Sequence, residues 1–420
     1  MGALPGTLKI TDISIPGTHD VGTCSLDSDQ GSKSDQRYYI DEIMNAGVRH
    51  LDLRTGLNDK GELRIIHAGS NCLDRDGREL SFNKAMDWIY SFLDANPTET
   101  IVLQVKMDKQ GSECELKTFR ALQALARQSN SKIWAGDHVP TLEEVRGKII
   151  VISRLDPDSF QSDSFTIHRD GKTVQWGLDC HDWKDSKDKA TALTAQGSNY
   201  EVWTQDNWSH DASGKKPYIK ASLLGNTDDG YTNSTLARYE QAKLVNKDAW
   251  VFDYTSCSAS PQTPFKNSKE IHQWLYDRSD YRNPDRLVCS DTFTGVMAFD
   301  YVDGLLSKLV YRTNFNRQYI TVRGFNSVGT ELVDPITIYV GENEVTRTKL
   351  AKSSPTQEII KAHFNVDSCI VKATGDGDFI SSLKADSAEK LAEGVDAFNT
   401  GVANNTLPND LYVLLEVPNH

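Results

Sequence analysis

Apolar and polar positions follow a repeating pattern through the first three quarters of the chain. Short runs rich in β-branched residues, "LKITDISI", "VRHLDL", "LRIIH", "TIVLQVK", "GKIIVISR", "EVWTQD", "AWVFDYTS" and "GVMAFDY", are bounded by turn residues or by stretches with helical spacing. Runs of this length and composition read as buried strands, eight in all. Several are separated by apolar residues at helical intervals. In "SFNKAMDWIYSFLDANP", Ser81 is placed to cap the first turn and Pro97 stops the run. Buried strands alternating with amphipathic helices predict an α/β fold with a mainly parallel sheet. Eight strands suggest closure into a TIM-type (β/α) barrel. The segment "TGLNDKGE" between the second and third strands is too short for a crossover helix, so the barrel is expected to be irregular on that side.

After "GLLSKLVYRTNF", which reads as the last barrel helix, the pattern changes to short alternating runs, "ITIYVG", "SCIVKAT" and "LYVLLEV". We read residues 1–316 as the barrel and residues 317–420 as a small, strand-rich accessory domain of unknown role, without recognisable chemistry. A chain of 420 residues is long for one ordinary core and suits this division.

Charge narrows the partners. The net charge is −13 and no long basic run exists, which argues against nucleic acid and against tight electrostatic binding to anionic lipid. A transient apolar contact with a membrane stays open. No run of 18 apolar residues is present to span a bilayer, and "MGALPGTLKI" lacks a charged segment followed by an apolar signal core. The protein is expected either to stay inside the cell or to have lost its signal. The seven cysteines (Cys24, Cys72, Cys114, Cys180, Cys257, Cys289 and Cys369) are scattered, without a C-x-x-C pair, and do not decide the compartment.

The polar residues gain meaning when set against the strands. His19 and Asp20 follow the first, Asp52 and Arg54 end the second, His67 the third and Lys106 the fourth. Arg154 closes the fifth, Asp206 the sixth, and Asp300 lies near the end of the eighth. In barrels of this class, side chains at the carboxyl ends of the strands meet at one face, where active sites sit. Each residue alone could be a solvated or capping group; their recurrence at one kind of position is the signal.

Two imidazoles, carboxylates able to orient them and a cation suit phosphodiester cleavage by general acid–base catalysis. His19, Asp20, Asp52 and His67 could also ligate a metal. Arg54, however, lies two residues beyond Asp52 on the same strand face and puts a fixed cation where a metal would otherwise be needed. Metal-free chemistry without a cofactor is the expectation.

In their order and wording, "SIPGTHD", "VRHLDLR", "LRIIHAG", "VPTLEEVRGKIIVISR", "TQDNW" and "GVMAFDYV" resemble the bacterial-type phosphatidylinositol-specific phospholipases C over about Leu8 to Asn314. The resemblance implies an irregular TIM-type barrel and a phosphorus–oxygen lyase reaction. In that reaction the inositol 2-hydroxyl attacks its own 1-phosphate, giving diacylglycerol and inositol 1,2-cyclic phosphate, which is slowly hydrolysed to inositol 1-phosphate.

On matching positions the resemblance implies His19 as general base oriented by Asp300, and His67 as general acid with Asp20. It gives Arg54, supported by Asp52, to the phosphate, and Lys106, Arg154, Asp206 and Trp208 to the inositol. Asp291 in "CSDTFTG" competes for the role of Asp300. The implied partner is phosphatidylinositol or its headgroup, met by a secreted monomer in transient contact with a membrane. Trp183 or Trp208 could supply that contact. Two alternatives stand beside this reading: a metal-dependent glycerophosphodiester phosphodiesterase and a non-catalytic inositol-lipid binding module.

Overall fold

A computed structural model of the chain describes residues 1–4, 6–108, 111–136, 138–160, 164–169, 171–183, 191–194, 200–224, 248–257, 263–279, 288, 294–314, 318–325, 336–340, 369–374, 382–385 and 410–416. The strands of its first three quarters are β1 (Ile15–Val21), β2 (His50–Leu57), β3 (Leu63–His67), β4 (Ser70–Asn71), β5 (Ile101–Met107), β6 (Ile149–Ser153), β7 (Thr166–Arg169), β8 (Lys172–Gln175), β9 (Leu178–Asp179), β10 (Thr191–Thr194), β11 (Tyr200–Gln205), β12 (Asp248–Tyr254) and β13 (Val296–Phe299).

The principal sheet runs β10-β11-β12-β13-β1-β2-β5-β6-β9 and is parallel throughout except at β10, which is antiparallel to β11. Strands and helices alternate as expected. The helix Phe82–Ala95 starts where Ser81 accepts a hydrogen bond from the Lys84 amide and buries Phe82, Met86, Ile89 and Leu93 against the sheet.

Three expectations need correction. The sheet does not close: among the described residues no ladder joins β9 to β10, and the arrangement is an open, irregular TIM-type barrel. The two-residue β9 was invisible to pattern reading, because so short a run carries no periodicity. "LRIIH" is not a wall strand; β3 folds back antiparallel on β2 through Thr55↔Ile65 and Leu57↔Leu63, as a linker too short for a crossover requires. The first strand begins later than the apolar run suggests. Ile10–Asp12 form a single 3-10 turn, and β1 contains Pro16–Val21, so His19 and Asp20 lie within it.

The inward positions of the parallel strands stack in layers, because side chains alternate faces along a strand. In register, His50 pairs with Val102, Asp52 with Gln104 and Arg54 with Lys106, while Val102 pairs with Ile150 and Gln104 with Ile152. On the other side Phe252 pairs with Val296 and Tyr254 with Ala298, which in turn pairs with Gly17. The bottom layers are mainly apolar, with Ile15, Val102, Ile150 and Phe252 in one buried cluster. Polarity rises with height, through Asp52, Gln104 and Tyr254, to Arg54, Lys106 and Arg154 at the carboxyl ends. Gly17 is required for this packing: a Cβ there would lie 2.7 Å from Nδ1 of His50.

A second sheet holds β14 (Gln318–Phe325), β15 (Ile336–Val340), β16 (Cys369–Thr374), β17 (Ser382–Ala385) and β18 (Asp410–Glu416) in the order β15-β14-β18-β16-β17. Among the described residues it shares no ladder with the first. No helix among the described residues is long and apolar enough to cross a membrane.

Candidate active site

The top of the barrel gathers a dense charge cluster. The β1–β2 register shifts between Thr18 and Val21, and Asp20 adopts a left-handed φ of 43°. This irregularity turns His19 and Asp20 toward their neighbours. His19 Nδ1 lies 2.8 Å from Asp300 Oδ1, one step past the Thr18↔Phe299 pair. Arg54 donates from Nε and Nη2 to the two oxygens of Asp52, at 2.9 and 2.7 Å, and its Nε also lies 2.9 Å from Asp20 Oδ1. Gln104 donates to Asp52 Oδ1 and accepts from the Tyr254 hydroxyl, each at 3.0 Å, tying the cluster to the layer below.

Asp20 is the hub. Its Oδ2 stands 3.2 Å from His19 Nε2 and 3.0 Å from His67 Nδ1. Two imidazole nitrogens from strands far apart in sequence therefore converge on one carboxylate oxygen. His67 reaches this point because β3 folds back over β2. Its other nitrogen, Nε2, faces Asp35 Oδ2 at 3.2 Å, and Asp108 lies 3.8 Å from Nδ1.

A second group adjoins the first. Arg154 Nη1 meets Asp206 Oδ2 at 3.3 Å, and the same oxygen accepts from the indole Nε1 of Trp183 at 3.2 Å. Arg154 also donates to the Trp183 carbonyl at 3.1 Å, with its guanidinium 4.7 Å from the centre of that ring. Tyr254 links the groups, its ring edge-on to both His19 and Trp183. Below Asp206, the fully buried Lys215 ammonium donates to Gln205 Oε1 and to the Asn207 carbonyl, fixing the backbone on either side of the aspartate.

Of the residues singled out in the sequence, His19, Asp20, Asp52, Arg54, His67 and Asp300 share one network, and Arg154 and Asp206 form its neighbour. Lys106 is placed beside Arg54 by register. Trp208, two residues past Asp206, is 39% exposed at the edge. Trp183 is not an exposed membrane contact; it is 3% exposed and packs on Phe252 and Tyr254. Asp291 lies outside the described residues. Sequence reading missed Asp35, Asp108, Gln104, Tyr254 and Lys215. Only Tyr254, the last inward residue of "AWVFDY", carried a signal, as the strand-end position of the seventh run.

Burial and charge pull against each other here. Burial alone would lower His19, but Asp20 and Asp300 outweigh it and raise the ring to about 10. Burial likewise opposes His67, which Asp20, Asp35 and Asp108 raise to about 9. Asp20 would be pushed up by burial, yet Arg54 and the two histidines hold it well below the usual carboxylate range. Asp52 is held down in the same way by Arg54. Asp35 goes the other way, raised by burial and by the neighbouring Asp300 and Asp20 charges.

Three overlapping sets of these side chains, within His19, Asp20, Asp35, Asp52, His67 and Asp300, are close enough to share a cation. The Arg54 guanidinium compensates Asp20 and Asp52, which belong to two of these sets; the third, His19, Asp35 and Asp300, lacks that cation.

A pH dependence of stability follows. A histidine raised above its unfolded value of 6.5 stabilises the fold fully below that pH, and the contribution is lost as pH climbs through the folded value. Thermal midpoints should therefore fall steadily from about pH 7 to about pH 10. A flat or rising profile over that range would show that the two rings are not held charged by these carboxylates.

Two histidines, a guanidinium and orienting carboxylates gathered at one end of an α/β barrel are the groups that acid–base cleavage of a phosphodiester needs. Residues 13–155 match the family model of the phosphatidylinositol-specific phospholipase C X domain. The 1-phosphatidylinositol phosphodiesterase of Staphylococcus aureus (strain Newman) is 28% identical over 244 residues, covering 56% of this chain and 73% of that protein. That of Listeria monocytogenes is 29% identical over 162 residues, or 36% of this chain and 47% of that one. A solved structure of the S. aureus phosphatidylinositol-specific phospholipase C, from work on its membrane binding, superposes with a TM-score of 0.54 at 19% identity, covering 74% of this chain and 96% of that one. Over these residues the chain is similar to the phosphatidylinositol-specific phospholipases C, and it shares their fold.

Proposed function

We propose that this chain is a phosphatidylinositol diacylglycerol-lyase, cleaving phosphatidylinositol by intramolecular phosphoryl transfer. The observation that carries the reading is the meeting of His19 Nε2, His67 Nδ1 and Arg54 around Asp20. The relatives named above act on phosphatidylinositol, as their names state.

In this reading His19, held at Nδ1 by Asp300, takes the proton of the inositol 2-hydroxyl at Nε2. A substrate seated between His19 and Asp20 separates one of the two carboxylates that hold a proton on the ring, which frees Nε2 to accept. The 2-oxygen bonds to phosphorus as the bond to the glycerol oxygen breaks. His67, working with Asp20, returns a proton to that oxygen. Arg54, kept planar and oriented by Asp52, offsets charge on the phosphoryl oxygens. Water then opens the cyclic phosphate slowly, with the two histidines exchanging roles. Lys106, Arg154 and Asp206 are suited to the inositol hydroxyls, and Trp208 offers a flat face at the edge.

Transient contact with a lipid surface, action outside the cell, a monomeric state and a separate accessory role for residues 317–420 belong to the same proposal. The last is supported by a five-stranded sheet with its own ladders.

Phosphorus NMR of phosphatidylinositol vesicles with the protein in excess chelator tests the proposal. The expected result is a cyclic phosphodiester resonance that later gives way to a monoester. Cleavage abolished by chelator and restored by a divalent ion would instead support the metal-dependent phosphodiesterase, and headgroup binding without turnover the non-catalytic module.

A further inference from the structure

The catalytic rings are not held alike in the expected pairing. For His19 the arrangement is clear: Asp300 at Nδ1 behind, Nε2 in front. For His67 the carboxylate expected to support it, Asp20, lies in front, on the same side and through the same Oδ2 atom that faces His19. The nitrogen behind His67 faces Asp35, which neither the sequence nor the resemblance singled out.

Asp35 is built into place. Its amide donates to Thr23 Oγ1 at 3.1 Å, and Thr23 in turn donates to the Asp20 carbonyl at 2.8 Å. The Asp35 carbonyl accepts from the Tyr301 amide, and the Ser34 carbonyl from the Tyr301 hydroxyl, both at 2.6 Å. Gln36 donates to the carbonyls of His19 and Phe299, at 2.5 and 2.9 Å. Tyr301 holds its position at a φ of 48°, a left-handed conformation rare for a bulky side chain and found mainly where surrounding structure enforces it. The segment 34–36 is thus locked between the two strands that carry His19 and Asp300. Asp35 is 4% exposed.

We propose that Asp35 is the positioning residue of His67, holding Nε2 from behind as Asp300 holds Nδ1 of His19, so that the front nitrogens of both rings face the reacting phosphate. This deepens the reading of the site as an acid–base phosphodiesterase and rests on it. The proton balance is simple. Charged His67 carries a proton on each nitrogen. The Nδ1 proton leaves for the glycerol oxygen, and the other proton stays on Nε2, donated to Asp35 Oδ2, which fixes the neutral tautomer. The groups facing this pair are Asp20 from β1, Asp108 beyond β5, Arg54 from β2, and Asp300 with His19 across the cluster. Burial and the Asp300 and Asp20 charges raise Asp35, and the His67 charge opposes that rise, as expected of a carboxylate facing an imidazolium.

The test is histidine-ring nitrogen NMR of the full chain, with His67 assigned by comparison with His67→Gln. In the unsubstituted protein His67 should be charged at neutral pH and, once neutral at high pH, keep its proton on Nε2. In Asp35→Asn the amide can donate to Nε2, so the neutral tautomer should switch to Nδ1–H and the ring should titrate about one pH unit or more lower. The same variant should lose about 10-fold or more in kcat with KM little changed, and Asp35→Glu should recover part of it. An unchanged His67 titration and tautomer in Asp35→Asn would overturn the proposal whatever the activity. Should that variant not fold, a neutral Nδ1–H tautomer in the unsubstituted protein overturns it equally. Because the ring spectra do not depend on substrate, failure of the phospholipase reading and failure of this one are told apart.

Discussion

His19→Ala and His67→Ala should each lower turnover of phosphatidylinositol by about 10²–10⁴-fold or more, the usual yield of a positioned general base or acid. Each ring nitrogen that meets Asp20 is a proton carrier, and among the described residues no other imidazole meets that carboxylate. The folds should survive, since both side chains are partly exposed at the mouth of the barrel rather than packed in its layers. The losses should also combine far short of multiplicatively, because the two rings serve one transfer. A phosphatidylinositol analogue with a better leaving group than diacylglycerol separates the roles. It should restore His67→Ala substantially and His19→Ala little, since only the first lacks the proton for the departing oxygen. Near-normal cleavage by either alanine variant would remove that histidine from the mechanism.

Arg54→Met should injure stability and activity together. Asp20 and Asp52 are 1% and 0% exposed, and the guanidinium is the cation that reaches both. Removing it strips buried Asp52 of its guanidinium partner and leaves Asp20 to the two histidines, and deleting one partner of a buried pair costs about 3–5 kcal/mol. The shift should appear in denaturant midpoints, and it should shrink in Arg54→Met with Asp52→Asn, which removes one stranded charge. Arg54→Lys should fold better than Arg54→Met yet cleave poorly, because an ammonium cannot make the forked contact to Asp52 while also reaching Asp20. A methionine variant as stable as the parent would mean that the two carboxylates find their compensation elsewhere.

Much of this molecule was legible before any coordinates. Alternation of "TIVLQVK" and "GKIIVISR" with helical stretches announced a parallel sheet, and period-two spacing carried Asp52 and Arg54 to one face. The short linker before "LRIIH" announced a fault in the wall, though not that β3 would fold back and deliver His67 over β2. What could not be read was what depends on irregular backbone. Asp35 sits in "GSKSDQRYY", a loop without period, and its role comes from hydrogen bonds to segments 299–301 and 18–23. Trp183 was read as a candidate membrane contact because charged loop residues surround it in sequence; in space it covers Tyr254 and Arg154. The pairing of His19 with Asp300, 281 residues apart, was suggested only by resemblance, since no local pattern links the two strands that bring them together.

The unclosed edge between β9 and β10 bears on how an inositol ring would be gripped. Arg154 stands just past β6, Trp183 shortly after β9 and Asp206 just past β11, so their contacts span the edge where, among the described residues, no ladder joins the strands. Elsewhere in the cylinder the main chain is the hoop; here side chains are the clasp. A headgroup hydroxyl that takes a hydrogen bond from Arg154 competes with that clasp, so seizing the sugar and loosening the rim become a single event.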